Sequence, residues 1–314
     1  MNLVFAGTPR FAVPTLERLV DVGFRIPLVV TQPDKPSGRG MDISISPVKQ
    51  SAQRLSIPIV QPDRIKNNEE FRQQLSAIAP DAIIVVGYGR IIPQWMIDLP
   101  RFRNINLHGS LLPKYRGAAP IQWAIARGET ISGVTTMRID AGLDTGDILM
   151  QREMPIAPDD TAETLAPRLA SIGADLMVET LNGLAAGTIA ARKQDDSQAT
   201  LAPILKKEDG VIDFNLTAGE IANRLRGFQP WPGAFTTFRG KTLFIRSARA
   251  IDTGADFSAR SPRSLAIYMG NLFVSCGSST LLEILELQVE GKKRMPATAF
   301  IHGYQPKPDE RLGE

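Results

Sequence analysis

The sequence predicts an α/β protein whose first half forms a mainly parallel sheet and whose second half forms a small β domain. Up to residue 187, short apolar segments alternate with helix-like segments, which is the pattern of a parallel sheet covered on both faces. Beyond residue 233 the chain has short strand patterns separated by turns. The length of 314 residues fits two domains, at roughly 100–200 residues per domain.

The first-half elements follow from apolar runs and helical periodicity. The clearest is the buried strand predicted at 81–86, and the longest helical pattern runs from 161 to 184. Polar turn residues separate most of these elements. Together they predict a Rossmann-like sheet. The predicted strands are 3–6, 27–31, 57–60, 81–86 and 104–107, with 134–139 and 147–151 as a hairpin, and the predicted helices are 14–21, 47–55, 69–78, 120–127 and 161–184.

After Gly187 the sequence pattern changes. Residues 188–202 are polar and predict a linker. One helix, 218–227, then precedes five strand candidates, at 234–238, 243–250, 265–269, 272–276 and 280–289. We therefore predict a first domain at 1–188, a linker at 189–207 and an OB-like β-barrel at 208–314.

Composition excludes several classes of site. A single cysteine, Cys276, rules out an intrachain disulfide framework and a Cys-rich zinc site, and two histidines make a histidine-based metal cluster hard to build. We expect no metal. The apolar runs are too short to span a bilayer, and the N-terminal residues lack the pattern of a secretion signal. The expectation is a cytoplasmic protein that does not engage membranes.

The net charge of +3 is unevenly placed. Residues 1–188 carry 19 basic and 19 acidic side chains, whereas residues 189–314 carry 17 and 14. Six basic residues fall between 239 and 263 beside two acidic ones. A basic strip on a β domain could follow a phosphate backbone, and a solvated strand face explains it equally well.

The strongest chemical signal lies at the end of the strand at 104–107. Asn106 and His108 are two apart and therefore project from the same face. Open α/β sheets place ligands at the carboxyl ends of their strands. An asparagine amide can stabilise a developing oxyanion, and a histidine can exchange a proton. Gly109 lets the chain turn, and residues 110–113 could offer backbone groups to a flat heterocycle.

A carboxylate near His108 would favour the charged ring. The loop at 140–147 offers Asp140, Asp144 and Asp147, which the residues alone do not rank. His302 has no carboxylate pattern around it and is predicted to be structural or at the surface.

Two loops complete the candidates. The polar segment 31–49 is long, and its Lys35 and Arg39 could contact phosphate or an RNA end. Residues 7–9 (GTP) follow the first strand but lack the remaining glycines of a dinucleotide fingerprint, so a tight strand-to-helix turn explains them better.

Several motifs together resemble the formyltransferase family that uses 10-formyltetrahydrofolate, and specifically its tRNA-directed branch. The similarity runs from end to end of the chain. Its most specific parts are NLHGSLLP (106–113), YRGAAP (115–120) and GLDTGD (142–147), followed by FAGTP (5–9), TQPD (31–34), GRG (38–40), SPVK (46–49), PWPGA (230–234) and GKK (291–293).

The resemblance implies a catalytic set and two substrates. The set is Asn106, His108 and Asp144. The formyl group would pass from 10-formyltetrahydrofolate to the α-amine of initiator methionyl-tRNA, in an enzyme that we expect to be a monomer. The folate would lie against Ser110, Leu111, Leu112, Pro113, Tyr88, Gly89, Arg90, Ile91, Ile92 and Asp140, and the tRNA against Lys35, Arg39, Arg246 and Arg249.

Two alternatives stay open. A sugar-nucleotide formyltransferase would share the Asn, His and Asp set and have a similar small second domain. A catalytically silent tRNA-binding protein would need the basic C-terminal domain but not that set.

Overall fold

A computed structural model gives the structure of residues 1–37, 42–251, 261–307 and 310–314. The chain divides into two compact units. Unit 1 comprises Met1–Pro120, Ile131–Pro155 and Ala166–Pro203, and unit 2 comprises Ile121–Thr130, Ile156–Leu165 and Ile204–Glu314. Within the described ranges, no helix combines the length and the apolar character that a membrane crossing requires.

The first half contains nine strands and six helices in the part that the structure describes. They are β1 (Asn2–Gly7), α1 (Val13–Asp21), β2 (Arg25–Val30), β3 (Lys35–Ser37), β4 (Asp42–Ser44), α2 (Pro47–Arg54), β5 (Ile59–Val60), α3 (Glu69–Ile78), β6 (Ala82–Val86), α4 (Gln94–Asp98), β7 (Asn104–His108), α5 (Pro120–Ala126), β8 (Ile131–Arg138), β9 (Ile148–Pro155) and α6 (Ala162–Ala186).

Seven of these strands form one sheet in the order β5-β2-β1-β6-β7-β8-β9. Along this order, the four pairs β5–β2, β2–β1, β1–β6 and β6–β7 are parallel. The last two pairs, β7–β8 and β8–β9, are antiparallel. Strand β6 lies between β1 and β7, and all five of its residues are buried, as expected for a run of Ala, Ile and Val covered on both faces. The mainly parallel α/β prediction is confirmed, and so is the hairpin, which is β8–β9.

Capping residues determine where several helices begin. Ser46 Oγ accepts a hydrogen bond from the Lys49 amide at 3.1 Å, and Pro47 takes the first position of α2. Asn68 caps α3 through the Phe71 amide at 3.0 Å. The predicted bounds of α3 agree with the structure because this cap precedes a clear apolar periodicity.

The second half has a separate antiparallel sheet. Its elements are α7 (Ala218–Gly227), β10 (Ala234–Phe238), β11 (Lys241–Ile251), β12 (Leu265–Tyr268), β13 (Asn271–Ser275), β14 (Leu281–Val289), β15 (Met295–Pro296) and α8 (Ala297–Tyr304). The strand order is β10-β11-β14-β13-β12, and β15 also pairs with β14. Among the described residues these strands do not close on themselves, so the OB-like barrel stays a prediction.

The chain end reaches both edges of this sheet. The Leu265 amide donates to the Glu310 carbonyl at 2.8 Å, and the Leu312 amide donates to the Arg263 carbonyl at 3.0 Å, beside β12. The Gly313 amide donates to the Thr237 carbonyl of β10 at 2.9 Å. Leu312 is fully buried in the core of unit 2. These contacts make the last residues part of the domain rather than a loose tail.

The structure also adds elements that the sequence did not predict. These are α4, β15, α8 and the short hairpin β3–β4, which lies in the segment predicted as a loop. The hairpin has three residues per strand and includes Pro36, and proline is depleted in strands.

Candidate active site

The end of β7 positions the two residues with the strongest chemical signal. Asn106 pairs in register with Val85 of β6, and His108 is the last residue of the strand, opposite Thr135 of β8. Alternation along the strand puts Asn106 and His108 on one face. Asn106 is half-buried and His108 is buried. The two predicted side chains are therefore brought together on a rigid element.

Both ring nitrogens of His108 face an acceptor. Nε2 lies 2.9 Å from the Tyr115 carbonyl oxygen, and Nδ1 lies 3.7 Å from Asp144 Oδ2. The first distance is a hydrogen bond, so an Nε2–H donates to the carbonyl. The second is an ion-pair distance but too long for a hydrogen bond. Within the described ranges, Nδ1 is therefore the ring nitrogen that has no hydrogen-bond partner.

Asp144 is fixed by its backbone surroundings. Its Oδ2 accepts a hydrogen bond from the Gly117 amide at 2.9 Å. Its φ of 53° lies in the left-handed region, where Asp is among the more tolerant residues. The loop between β8 and β9 thereby turns this carboxylate towards His108.

The structure separates two of the three carboxylates of that loop, Asp140 and Asp144. Asp140 is exposed, and its oxygens accept from Thr145 Oγ1 at 2.7 and 2.9 Å and from the Gly142 amide at 3.0 Å. Asp140 therefore stabilises the conformation of its own loop. Asp144 is the member that lies next to His108, with Oδ2 3.7 Å from Nδ1.

Tyr115 is a residue that sequence reasoning did not single out. Its φ of 63° is rare for a bulky side chain. The same residue supplies the carbonyl that holds His108 Nε2. No local sequence pattern predicts this role, because it depends on the backbone conformation of Tyr115 and not on its side chain.

Residues 110–113 were predicted to present free backbone groups. Several of these groups instead form hydrogen bonds with other groups of the protein. Thr135 Oγ1 donates to the Ser110 carbonyl at 2.7 Å and accepts from the Leu112 amide at 3.1 Å. Gln151 Nε2 donates to the Leu112 carbonyl at 2.8 Å, and Ser110 Oγ donates to the Lys114 carbonyl at 2.7 Å. Residues 110–113 thus form a rigid wall with few open hydrogen-bonding groups, since the two polar side chains from β8 and β9 occupy them.

A second wall is formed by the predicted folate contacts at 88–92, which follow β6. Tyr88 and Ile92 are buried in one apolar cluster with Ile139, next to the Asp144 loop, whereas the Ile91 side chain is 92% exposed. Gln32 Nε2 donates to the carbonyls of Tyr88 and Gly89 at 3.0 and 3.1 Å. The Tyr88 hydroxyl has no hydrogen-bond partner among the described residues, and burial raises the pKa of this phenol.

Comparison with known proteins identifies the family. Residues 1–181 match the family model "Formyl transferase", and residues 204–305 match "Formyl transferase, C-terminal domain". The chain is 66% identical over 313 residues to the methionyl-tRNA formyltransferase of Koribacter versatilis, a match that covers 100% of this chain and 99% of the relative. It belongs to the formyl transferase family. The methionyl-tRNA formyltransferase of Geobacter sulfurreducens is 46% identical, over 100% of this chain and 97% of its own length.

Solved structures share the formyl transferase fold at low identity. An N-formyltransferase from Helicobacter canadensis, in complex with folinic acid and dTDP-3-aminofucose, has a TM-score of 0.67 and 21% identity, and covers 90% of this chain and 98% of its own. Glycinamide ribonucleotide transformylase 1 from Symbiobacterium toebii covers 62% of this chain and 93% of its own, with a TM-score of 0.50 and 21% identity. The sequence-based resemblance to the formyltransferase family is confirmed.

The cationic residues predicted to meet RNA have varied surroundings in this formyl transferase. Lys35 lies in β3 with its side chain outside the described part of the structure, and Arg39 lies outside the described residues. Arg246 stacks 4.8 Å from the Phe244 ring centroid, and burial lowers its pKa. Arg249 Nε donates to Glu283 Oε2 at 2.6 Å. His302 is exposed on α8.

Two buried polar residues behind the site were also missed. Gln194 lies in the segment predicted as a polar linker, and Arg116 lies in the motif that follows Tyr115; both are more than nine-tenths buried. The partners of their side chains are at least 48 positions away in the sequence. Within the described residues, no three histidine, cysteine or acidic side chains come together as a metal-ligand group.

Proposed function

We propose that this formyl transferase moves the formyl group of 10-formyltetrahydrofolate to the free α-amine of initiator methionyl-tRNA, giving N-formylmethionyl-tRNA for translation initiation. The proposal rests on the contact of His108 with Asp144 at the end of β7. That contact lies in a chain that is 66% identical to a methionyl-tRNA formyltransferase.

The reaction is an acyl transfer. The neutral α-amine attacks the formyl carbon, a new C–N bond forms, and the carbonyl oxygen becomes an oxyanion. When the intermediate collapses, the bond from that carbon to N10 breaks. The attacking nitrogen loses one proton and N10 gains one, so tetrahydrofolate leaves neutral at that atom.

Asn106 and His108 stabilise the oxyanion. The Asn106 amide can donate one hydrogen bond, and a protonated His108 can donate another through Nδ1, which has no hydrogen-bond partner among the described residues. The Tyr115 carbonyl holds the opposite ring nitrogen. The ring therefore keeps its orientation while Nδ1 acts.

Asp144 supports the charged ring. At 3.7 Å from Nδ1, its carboxylate is close enough to stabilise an imidazolium and far enough to leave that N–H for the substrate. The proton released by the amine can pass through His108 or water to N10.

The folate is expected between the two walls described above. The buried Tyr88 hydroxyl, which has no hydrogen-bond partner in the described part of the chain, and the largely exposed apolar residues Ile91 and Leu143 fit a ligand that has both polar and flat apolar parts. Since backbone groups of residues 110–113 already form hydrogen bonds within the protein, this segment would contact the folate mainly through its shape. Asp140 would hold the loop rather than the ligand.

The tRNA would meet both domains. We propose domain boundaries of 1–188 and 208–314 with a linker at 189–207, a C-terminal OB-like barrel completed by the chain end, and RNA contacts at Lys35, Arg39, Arg246 and Arg249. A cytoplasmic monomer is the expected form. The bonds of residues 310–314 to both sheet edges support the barrel.

The test is a formylation assay with 10-formyltetrahydrofolate and charged initiator tRNA, in the presence of an amino-sugar nucleotide as a competing acceptor. We expect formyl transfer to the tRNA alone. His108→Ala should lower turnover by about 10²–10³-fold, because it removes one oxyanion donor. Asp144→Asn should lower turnover in the same direction.

His302→Ala is the matched control, because it removes the exposed histidine of α8 and should leave turnover unchanged. Near-normal turnover of folded His108→Ala would contradict the catalytic assignment. Transfer to the sugar nucleotide would support the sugar-nucleotide alternative, and tRNA binding without any transfer would support a silent binding protein.

A further inference from the structure

A buried polar cluster lies directly behind the proposed catalytic carboxylate. Its polar side chains are Arg116, 7% exposed, and Gln194, 6% exposed. Burying such groups is costly unless each finds hydrogen-bond partners. Two partners of Gln194, Asp144 and Gly146, lie on the loop that carries the proposed catalytic carboxylate, which makes the cluster relevant to the reaction.

Gln194 connects that loop to Arg116. Its Nε2 donates to the Asp144 carbonyl at 2.8 Å and to the Gly146 carbonyl at 2.7 Å. Its Oε1 accepts from Arg116 Nε at 3.0 Å and Nη2 at 2.8 Å. Both amide protons and both oxygen lone pairs are therefore used, and a side chain of different polarity cannot replace all four bonds.

The residue after Arg116 completes the connection. The Gly117 amide donates to Asp144 Oδ2, so Asp144 is held at its carboxylate by Gly117 and at its main chain by Gln194. We call Arg116, Gly117, Asp144 and Gln194 the Gln194 network. Because it holds a residue with a left-handed backbone at two points, the network determines where the carboxylate lies relative to His108.

We propose that Gln194 is a positioning residue for formyl transfer, which holds Asp144 towards His108 with the support of Arg116. This inference rests on the proposed role of Asp144. Gln194 itself does not touch the reacting atoms. Its contribution is to geometry, where an error of about 1 Å can cost about 10²-fold in rate.

The test uses Gln194→Glu, which has nearly the same shape. The glutamate keeps an acceptor for Arg116 but has no N–H groups for the Asp144 and Gly146 carbonyls, and it places an oxygen against them. We expect kcat to fall by at least about 10-fold, with the KM for tRNA changed by less than about 2-fold. Gln194→Met, which removes the donors without adding charge, should act in the same direction and serves if the glutamate variant does not fold.

Asp196→Asn is the matched control. Asp196 is the exposed second partner of Arg116, whose Nη2 donates to it at 2.7 Å. The asparagine keeps an acceptor oxygen, so kcat should stay unchanged. Thermal unfolding of each variant shows whether the fold is intact.

A double-mutant cycle separates positioning from general structural support. In an Asp144→Asn background, adding Gln194→Glu should change the residual kcat by less than about 2-fold, since the carboxylate to be positioned is gone. A full additional loss in that background, or a normal kcat for Gln194→Glu alone, would overturn the inference. If instead Asp144→Asn alone were fully active, the proposed role of Asp144 would fail.

Discussion

Two pairs of a basic and an acidic side chain, one pair in each unit, are held in different ways. His108 and Asp144 have side chains that are 7% and 18% exposed, and backbone groups of Tyr115 and Gly117 hold each of them. In the second unit Arg249 is 64% exposed and lies on Glu283, which is 5% exposed, across neighbouring strands. A pair held by the backbone keeps one geometry. A pair with one exposed, flexible side chain can exchange its partner.

The backbone-held pair should be sensitive to changes that touch neither side chain. Gly117 has a φ of 124°, and a Cβ added there would lie 2.5 Å from the Ala202 carbonyl oxygen. Gly117→Ala must therefore move the chain and with it the amide that holds Asp144. We expect turnover to fall by about 10²-fold, measured by steady-state formylation.

Gly187→Ala provides the control for this prediction. Gly187 also has a positive φ, of 69°, but nothing lies within 4 Å of its added Cβ. It carries the same kind of backbone strain without the collision. Equal losses of turnover in the two variants would mean that strain alone, and not the amide on Asp144, lowers activity.

The same contrast explains what the sequence could predict about the site. Strand alternation brought Asn106 and His108 together, because that relation is local. The residues alone left three carboxylates open, and the family resemblance selected Asp144. Gln194 is 50 positions from Asp144, and the polar sequence around it predicts a linker. Only the folded chain therefore shows the contact. Tyr115 acts through its carbonyl, which any residue possesses.

For the fold, predictions were best where a local signal is strong. The five buried apolar residues of β6 and the capped, periodic helices α3 and α7 were predicted to within one residue. The β3–β4 hairpin and the two-residue β15 were missed, since so short a pairing depends on its tertiary surroundings more than on propensity. The hydrogen bonds of residues 310–313 beside β12 and β10 could not be predicted either, because no periodicity in the sequence indicates them.

That chain end gives a second prediction, on stability. Leu312 is fully buried and lies between two backbone hydrogen bonds to the sheet edges. Leu312→Ala should lower the free energy of unfolding of unit 2 by about 2 kcal/mol, the lower end of the usual range because a chain terminus can relax around the cavity.

Denaturant unfolding followed by the fluorescence of Trp231 in unit 2 measures this, with the tryptophans of the other segments replaced by phenylalanine in every variant. Leu285→Ala, at a 37% exposed position of β14, is the control and should cost clearly less. Equal costs at both positions would show that the chain end is not part of the core.

The smallest predicted effect concerns the pair of Arg249 and Glu283, in which the exposed arginine can exchange its partner. If Arg249 contacts a tRNA phosphate, it must leave Glu283, so this carboxylate competes with the RNA. Glu283→Gln removes the competing charge and keeps a polar side chain at a buried position. We expect tRNA affinity to rise by about 2–5-fold at low salt, measured by filter binding, and the slope of log affinity against log salt to steepen by about 0.7–0.9 for one additional phosphate contact.

Asp175→Asn distinguishes a specific effect from net charge. Asp175 pairs with Arg18 through an exposed contact of 2.9 Å in unit 1, so this variant removes the same unit of negative charge from another arginine. It should leave the salt slope unchanged. If both variants raised the affinity equally, the gain would come from long-range attraction, and Arg249 would count as part of a solvated strand face rather than as a phosphate contact.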